Sequence, residues 1–163
     1  MSKKTGVLIV NLGTPDSPST SDVKRYLSEF LNDPRVIDIN PVGRKVLVNG
    51  IIVPTRGPKS AKEYKKLFKI GNGASPLLTY GKNLLKLVRE IGHKQFDVEL
   101  AMRYGNPSMN SVLDKMRLVN YDQIIIFPLY PQYASATTGS IIEKAFKIIS
   151  KWWVIPEIKV IGQ

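Results

Sequence analysis

The chain is expected to fold as an α/β protein: a doubly wound parallel sheet flanked by helices. Three observations predict this. Short apolar runs rich in β-branched residues alternate with segments of helical period, most regularly after residue 95. The runs themselves are mostly apolar, as strands covered on both faces must be. A length of 163 residues with 43% apolar and 23% charged residues suits one domain with a real core, and is too short for two ordinary ones.

Each element follows from its residues. Residues 7–12 form an apolar run, read as a buried strand. Val23, Tyr26, Leu27, Phe30 and Leu31 then recur on one helical face. Ser19, Thr20 and Ser21 offer N-caps, and Asp22 suits the positive helix start. Asn32-Asp33-Pro34 ends that helix. Residues 36–39 read as a short strand. Residues 46–53 are apolar but lie among Gly43, Gly50 and Pro54, so an irregular or short helical insertion is expected. A basic helix over 60–68 and a loop over 71–76 follow. Leu84, Leu85, Leu87, Val88 and Ile91 mark another amphipathic helix, ending near Gly92. After it come a strand over 96–102, a helix marked by Met109, Val112, Leu113 and Met116, a strand over 124–127, a helix over 141–149, and a buried strand within 156–161.

Composition removes several functions. Cysteine is absent and His93 is the single histidine, so disulfides, thiolate chemistry, iron–sulfur clusters and a conventional zinc site are not expected. His93 at a helix end is expected to cap carbonyls. Twenty-four Lys and Arg against 13 Asp and Glu give +11, which points to an anionic partner: nucleic acid, acidic lipid or a small polyanion. No apolar run reaches membrane-spanning length, and the cytoplasm is the expected compartment.

In open parallel sheets, ligands sit beyond the C-terminal ends of the strands. Three loops occupy such places: 11–18, 102–108 and 128–140. Their Gly, Pro, Ser and Thr suit turns and caps, and they equally suit a site. Arg103 offers a fixed cationic fork, and Tyr104, Tyr130 and Tyr133 offer flat apolar faces with polar tips. That mixture fits a flat aromatic ligand with acidic groups better than a nucleotide, and no glycine-rich phosphate loop is present. Between Arg56 and Lys69 six basic residues stand against Glu63 alone. They read either as a solvated helix face or as an electropositive rim. No nucleic-acid-binding motif is visible, so a nucleic-acid partner is not expected. Ser135, Thr137 and Thr138 have no base nearby in sequence, so nucleophilic catalysis is not expected either.

Taken together and in order, six stretches resemble the ferrochelatases, which insert ferrous iron into a porphyrin in haem biosynthesis. They are Val10-Asn11-Leu12-Gly13-Thr14-Pro15, residues 30–37 (FLNDPRVI), Pro58-Lys59-Ser60 with Tyr64, Gly73-Ala74-Ser75-Pro76-Leu77, residues 102–108 (MRYGNPS), and Tyr130-Pro131-Gln132-Tyr133 followed by Thr137-Thr138-Gly139-Ser140. The resemblance implies a chelatase-like domain of flavodoxin-like topology over 1–163, with a helical lip insertion at about 40–76 and a second domain of the family missing. It implies substrate contacts at Leu12, Arg56, Tyr64, Ser75, Arg103, Tyr104, Tyr130, Thr137 and Thr138. Arg56, Tyr64 and Ser75 would meet the porphyrin or its propionates, and Arg103 and Tyr104 would be polar residues of the inner pocket. Ala134 and Ala136 depart from the serines common there. The implied substrates are ferrous iron and a porphyrin, protoporphyrin or coproporphyrin, with no resident cofactor or bound metal.

In this family the histidine that takes up pyrrole protons, and its acidic neighbour, lie in the second half, so no catalytic residue is assigned. The chain is expected to be incomplete, to lack a C-terminal half and to be inactive alone. The basic lip further suggests peripheral contact with a membrane surface. The alternative is a non-enzymatic module for porphyrin or another anionic ligand.

Overall fold

The computed structural model describes residues 3–92 and 95–162. The expected cap at His93 lies outside the described residues. A four-stranded sheet carries the fold, with strands β1 (Thr5–Thr14), β2 (Asp97–Gly105), β3 (Gln123–Pro128) and β4 (Glu157–Val160) in the order β2-β1-β3-β4. β1 pairs with β3 in parallel from Thr5↔Gln123 to Val10↔Pro128, and β3 pairs with β4 in parallel from Gln123↔Glu157 to Ile126↔Val160. The chain leaves β1 toward β2 on one side and returns to β3 on the other. That reversal is the topological switch of a doubly wound sheet.

The helices are α1 (Thr20–Leu31), α2 (Pro41–Lys45), α3 (Val53–Ile70), α4 (Pro76–Ile91), α5 (Met109–Arg117) and α6 (Ser140–Ile149). Ser19 caps α1 by accepting the Asp22 N–H at 3.2 Å, and Ser108 caps α5 by accepting the Ser111 N–H at 3.2 Å. A π-helical stretch, Val46–Ile52, joins α2 to α3. Its cause is local. Pro54 cannot donate a backbone hydrogen bond, the Val53 N–H reaches back to the Val48 carbonyl, and the Thr55 hydroxyl donates to the carbonyls of Ile51 at 2.7 Å and Ile52 at 3.2 Å. The apolar insertion is thus helical, and the basic helix expected over 60–68 is the later part of an 18-residue α3.

Two expectations are corrected. Residues 36–39 are turns, not a strand, because the N–H groups of Val36 and Ile37 bond the Asp33 carbonyl, each at 3.0 Å, and are lost to any ladder. β4 is not buried. It is the sheet edge, alternating exposed and half-buried residues, and Lys3 and Lys159 pair with Glu157 along it. Charged side chains of this kind blunt an edge against further pairing.

The chain divides into two compact units. The first comprises the described residues of Met1–Leu12, Gly81–Arg103 and Pro107–Gln163. Leu8, Val10, Ala101, Ile124 and Ile126 meet α5 through Val112, Leu113 and Met116, and α6 through Ile141, Ala145, Ile148 and Ile149. Leu100, next to Ala101, points to the opposite face as strand geometry requires. There it meets α4 at Gly81, where a Cβ would stand 3.0 Å from Leu100 Cδ2. Helices therefore cover both faces. The second unit comprises Gly13–Tyr80 and Tyr104–Asn106. Its interior holds Val23, Tyr26, Val48, Val53, Ala61, Phe68 and Tyr104. Gly57 lets α3 approach α1 closely, since a Cβ there would lie 2.5 Å from Lys24 Cγ.

Candidate functional site

Within the first unit, the switch between β1 and β3 is closed by the Leu129 N–H, which donates to the Val10 carbonyl at 2.8 Å. Leu12 is half-buried just beyond it, at the end of β1. The loop after β3 walls an open groove of about 390 Å³, lined by Phe127, Pro128, Tyr130, Tyr133 and Thr138, with Ile161 from just beyond the end of β4. Burial pushes the Tyr130 phenol up to about 12, while the Arg103 charge opposes the rise. Tyr130 is thus a neutral hydroxyl at physiological pH, able to donate a hydrogen bond and not to act as a ready base.

The rest of the loop is a π-helical turn, Ser135–Gly139, entering α6. The Ala134 carbonyl pins it, accepting the Thr137 N–H at 3.1 Å, the Thr137 hydroxyl at 3.2 Å and the Gly139 N–H at 3.1 Å. Ala134 therefore serves through its backbone. Thr138 is buried in the groove wall and Thr137 is half-buried. Arg103, at the end of β2, is half-buried, and its Nε donates to Ser140 Oγ at 2.6 Å and to the Ser140 carbonyl at 3.2 Å. Leu12, Arg103, Tyr130, Thr137 and Thr138 thus belong to one unit.

In the second unit lie Arg56, Tyr64, Ser75 and Tyr104. Arg56 is exposed on α3 and makes no hydrogen bond or ion pair among the described residues. Tyr64, farther along α3, is half-buried and meets Tyr26 edge-on, with ring centroids 6.1 Å apart. Burial raises its phenol above the ordinary range, and a hydrogen bond with Tyr26 opposes the rise. Ser75 is buried ahead of α4, its carbonyl accepting the Thr79 N–H at 3.0 Å.

Tyr104 does not offer the flat open face expected of it. The residue is 0% exposed, its ring meets Phe30 edge-on at 5.1 Å, and its hydroxyl donates to Asp33 Oδ2 at 2.8 Å. Asp33 Oδ1 accepts the Arg35 N–H at 2.8 Å, so this buried carboxylate ties Tyr104 to the turn after α1. Glu29 accepts the Gly105 N–H at 2.9 Å, and Asp16 accepts from Asn106 at 2.9 Å and from Arg25 at 2.8 Å. Asp33 and Ser140 escaped the sequence reading. Asp33 looked like a helix stop and Ser140 like a loop end, although each stands inside a stretch quoted for the resemblance.

Among the described residues no group of three or more His, Asp or Glu side chains is arranged to hold a metal ion, and no helix is long and apolar enough to cross a membrane. A family model described as Ferrochelatase matches residues 4–163. The ferrochelatase of Francisella tularensis subsp. tularensis strain WY96-3418 is 45% identical over 157 residues, covering 96% of this chain and 46% of that protein. The ferrochelatase of Chromobacterium violaceum is 41% identical over 162 residues, covering 97% of this chain and 44% of that protein. The chain spans about half the length of the curated relatives it matches.

Proposed function

Since the chain belongs to the ferrochelatase family, we propose that it supplies the porphyrin-gripping part of an enzyme that inserts ferrous iron into a porphyrin for haem synthesis. The observation that carries this reading is the groove beyond β3, walled by Tyr130 and Thr138, within the matched span. A porphyrin is a flat apolar disc with carboxylates on its rim. It needs apolar or aromatic surface for the disc and cations for the rim. Leu12 and Tyr130 supply the first, with the Tyr130 hydroxyl as a donor. Arg56 supplies a guanidinium that has no hydrogen-bond or ion-pair partner to give up among the described residues. The resemblance adds Tyr64 and Ser75 as contacts of the porphyrin or its propionates, Thr137 and Thr138 shape the pocket loop, and Arg103 brings charge to the inner pocket. Tyr104, buried against Asp33, contributes by holding its turn.

The resemblance assigns residues about 40–76 to the lip of the family's site. Val42, Val46 and Ile51 are 73%, 63% and 57% exposed beside Lys45 and Lys59. Apolar side chains among lysines suit an anionic membrane surface, where the porphyrin would be delivered. The pyrrole protons must go to a base over the ring. The resemblance places that histidine and its acidic partner in the other half of the family, so these 163 residues are expected to bind porphyrin and not to metallate it.

Absorbance titration with protoporphyrin tests the reading. Saturable binding is expected, weakened about tenfold by Arg56→Ala, the size of a lost charge-assisted hydrogen bond. Fluorometric zinc insertion should be absent. No porphyrin-dependent spectral change would overturn the binding role, and turnover by the chain alone would overturn the division of labour.

A further inference from the structure

We infer that Ser140 is a positioning residue for Arg103, holding the guanidinium in a fixed orientation against the loop that follows β3. The two residues are 37 apart in sequence, on β2 and α6. Ser140 is 1% exposed. Its Oγ and its carbonyl both accept from one atom, Arg103 Nε, at 2.6 and 3.2 Å.

That geometry has a specific consequence. The guanidinium is planar, so the direction of its Nε–H sets the plane of the whole fork. Anchoring Nε therefore fixes where both terminal amino groups point. The Ser140 hydroxyl accepts from a charged donor on another element, the stronger kind of hydrogen bond. The anchor stands immediately after the π-helical turn Ser135–Gly139, which packs onto α6, so the turn and the arginine are set by the same residue. The nearness of the Arg103 charge to the Tyr130 phenol agrees with a fork held toward this loop.

The inference rests on the reading that Arg103 serves the porphyrin pocket, and its test separates the two. In ¹⁵N–¹H spectra of the full 163-residue chain, the Arg103 Nε–H signal should be shifted and slow to exchange. Ser140→Ala removes the 2.6 Å bond and keeps only the longer one to the backbone carbonyl, so the signal should shift toward the position of a solvated arginine and exchange faster. Protoporphyrin binding should weaken about fivefold in Ser140→Ala, the size of one lost hydrogen bond. Arg103→Lys, which keeps the charge and loses the fork, should weaken it at least as much. In the Arg103→Ala background, Ser140→Ala should cost nothing further, since a residue that acts through another has no effect once that other is gone. An unchanged Nε–H signal in Ser140→Ala would overturn the anchoring. An undiminished effect in the Arg103→Ala background would overturn action through Arg103. A shifted and protected signal in a wild-type chain that binds no porphyrin would support the anchor while overturning the porphyrin reading.

Discussion

Tyr104 and Asp33 show what one buried pair does. The tyrosine is wholly enclosed, and its hydroxyl serves the Asp33 carboxylate, which also takes the Arg35 N–H. Removing the hydroxyl takes one donor from a buried carboxylate, where a lost hydrogen bond is not replaced by water. Tyr104→Phe should therefore lower stability by about 1–3 kcal/mol, read as a drop in the urea midpoint with an unchanged slope. An unaltered midpoint would show that the pair is energetically idle. Both residues stand in stretches legible from sequence, but their pairing was not. They are 71 apart, and nothing in either local pattern points to the other.

The elements depend on a few backbone positions. Gly13 has φ +114°, and a Cβ there would stand 1.8 Å from the Tyr104 carbonyl oxygen. Gly105 has φ +78°, and its Cβ would stand 2.5 Å from the Thr14 carbonyl oxygen. The segments at 13–14 and 104–105 thus pass with no room for side chains between them. Gly13→Ala combines a strained backbone with a clash that no rotamer relieves. A loss of about 3 kcal/mol is expected, measured as a lower thermal midpoint, and a tolerated substitution would contradict the close approach. The caps Ser19 and Ser108 and the helical faces of α1 and α5 could be read from sequence, because they depend on residues three or four apart. The π-helical stretch Val46–Ile52 could not. It needs a proline, a threonine hydroxyl and a reach of five residues at once.

For the whole molecule, the charge of +11 stands against exposed ion pairs such as Arg25–Asp16, Lys66–Glu63 and Lys115–Glu99. Exposed pairs contribute little, and the net repulsion is longer in range. Raising ionic strength from about 20 to about 200 mM shortens the Debye length from roughly 20 Å to under 10 Å. The thermal midpoint should then rise by a few degrees. A fall would mean that the ion pairs outweigh the repulsion. The same excess is the feature that a carboxylate-bearing ligand would meet at Arg56 and the lysines of α3.

The amino-acid pattern by itself determined the alternation of strands and helices, the parallel sheet and the family, because each rests on local period or on ordered short motifs. It also marked the loops where a ligand would sit. Only the tertiary structure decided that the chain forms two compact units, that β4 is an exposed edge, that residues 36–39 turn, and that Tyr104 lies buried against Asp33 while Arg103 is anchored on Ser140. These are contacts and exposures set by packing and by competition for hydrogen bonds. A side chain's partner across tens of residues depends on where the sheet brings it, and no local pattern carries that information.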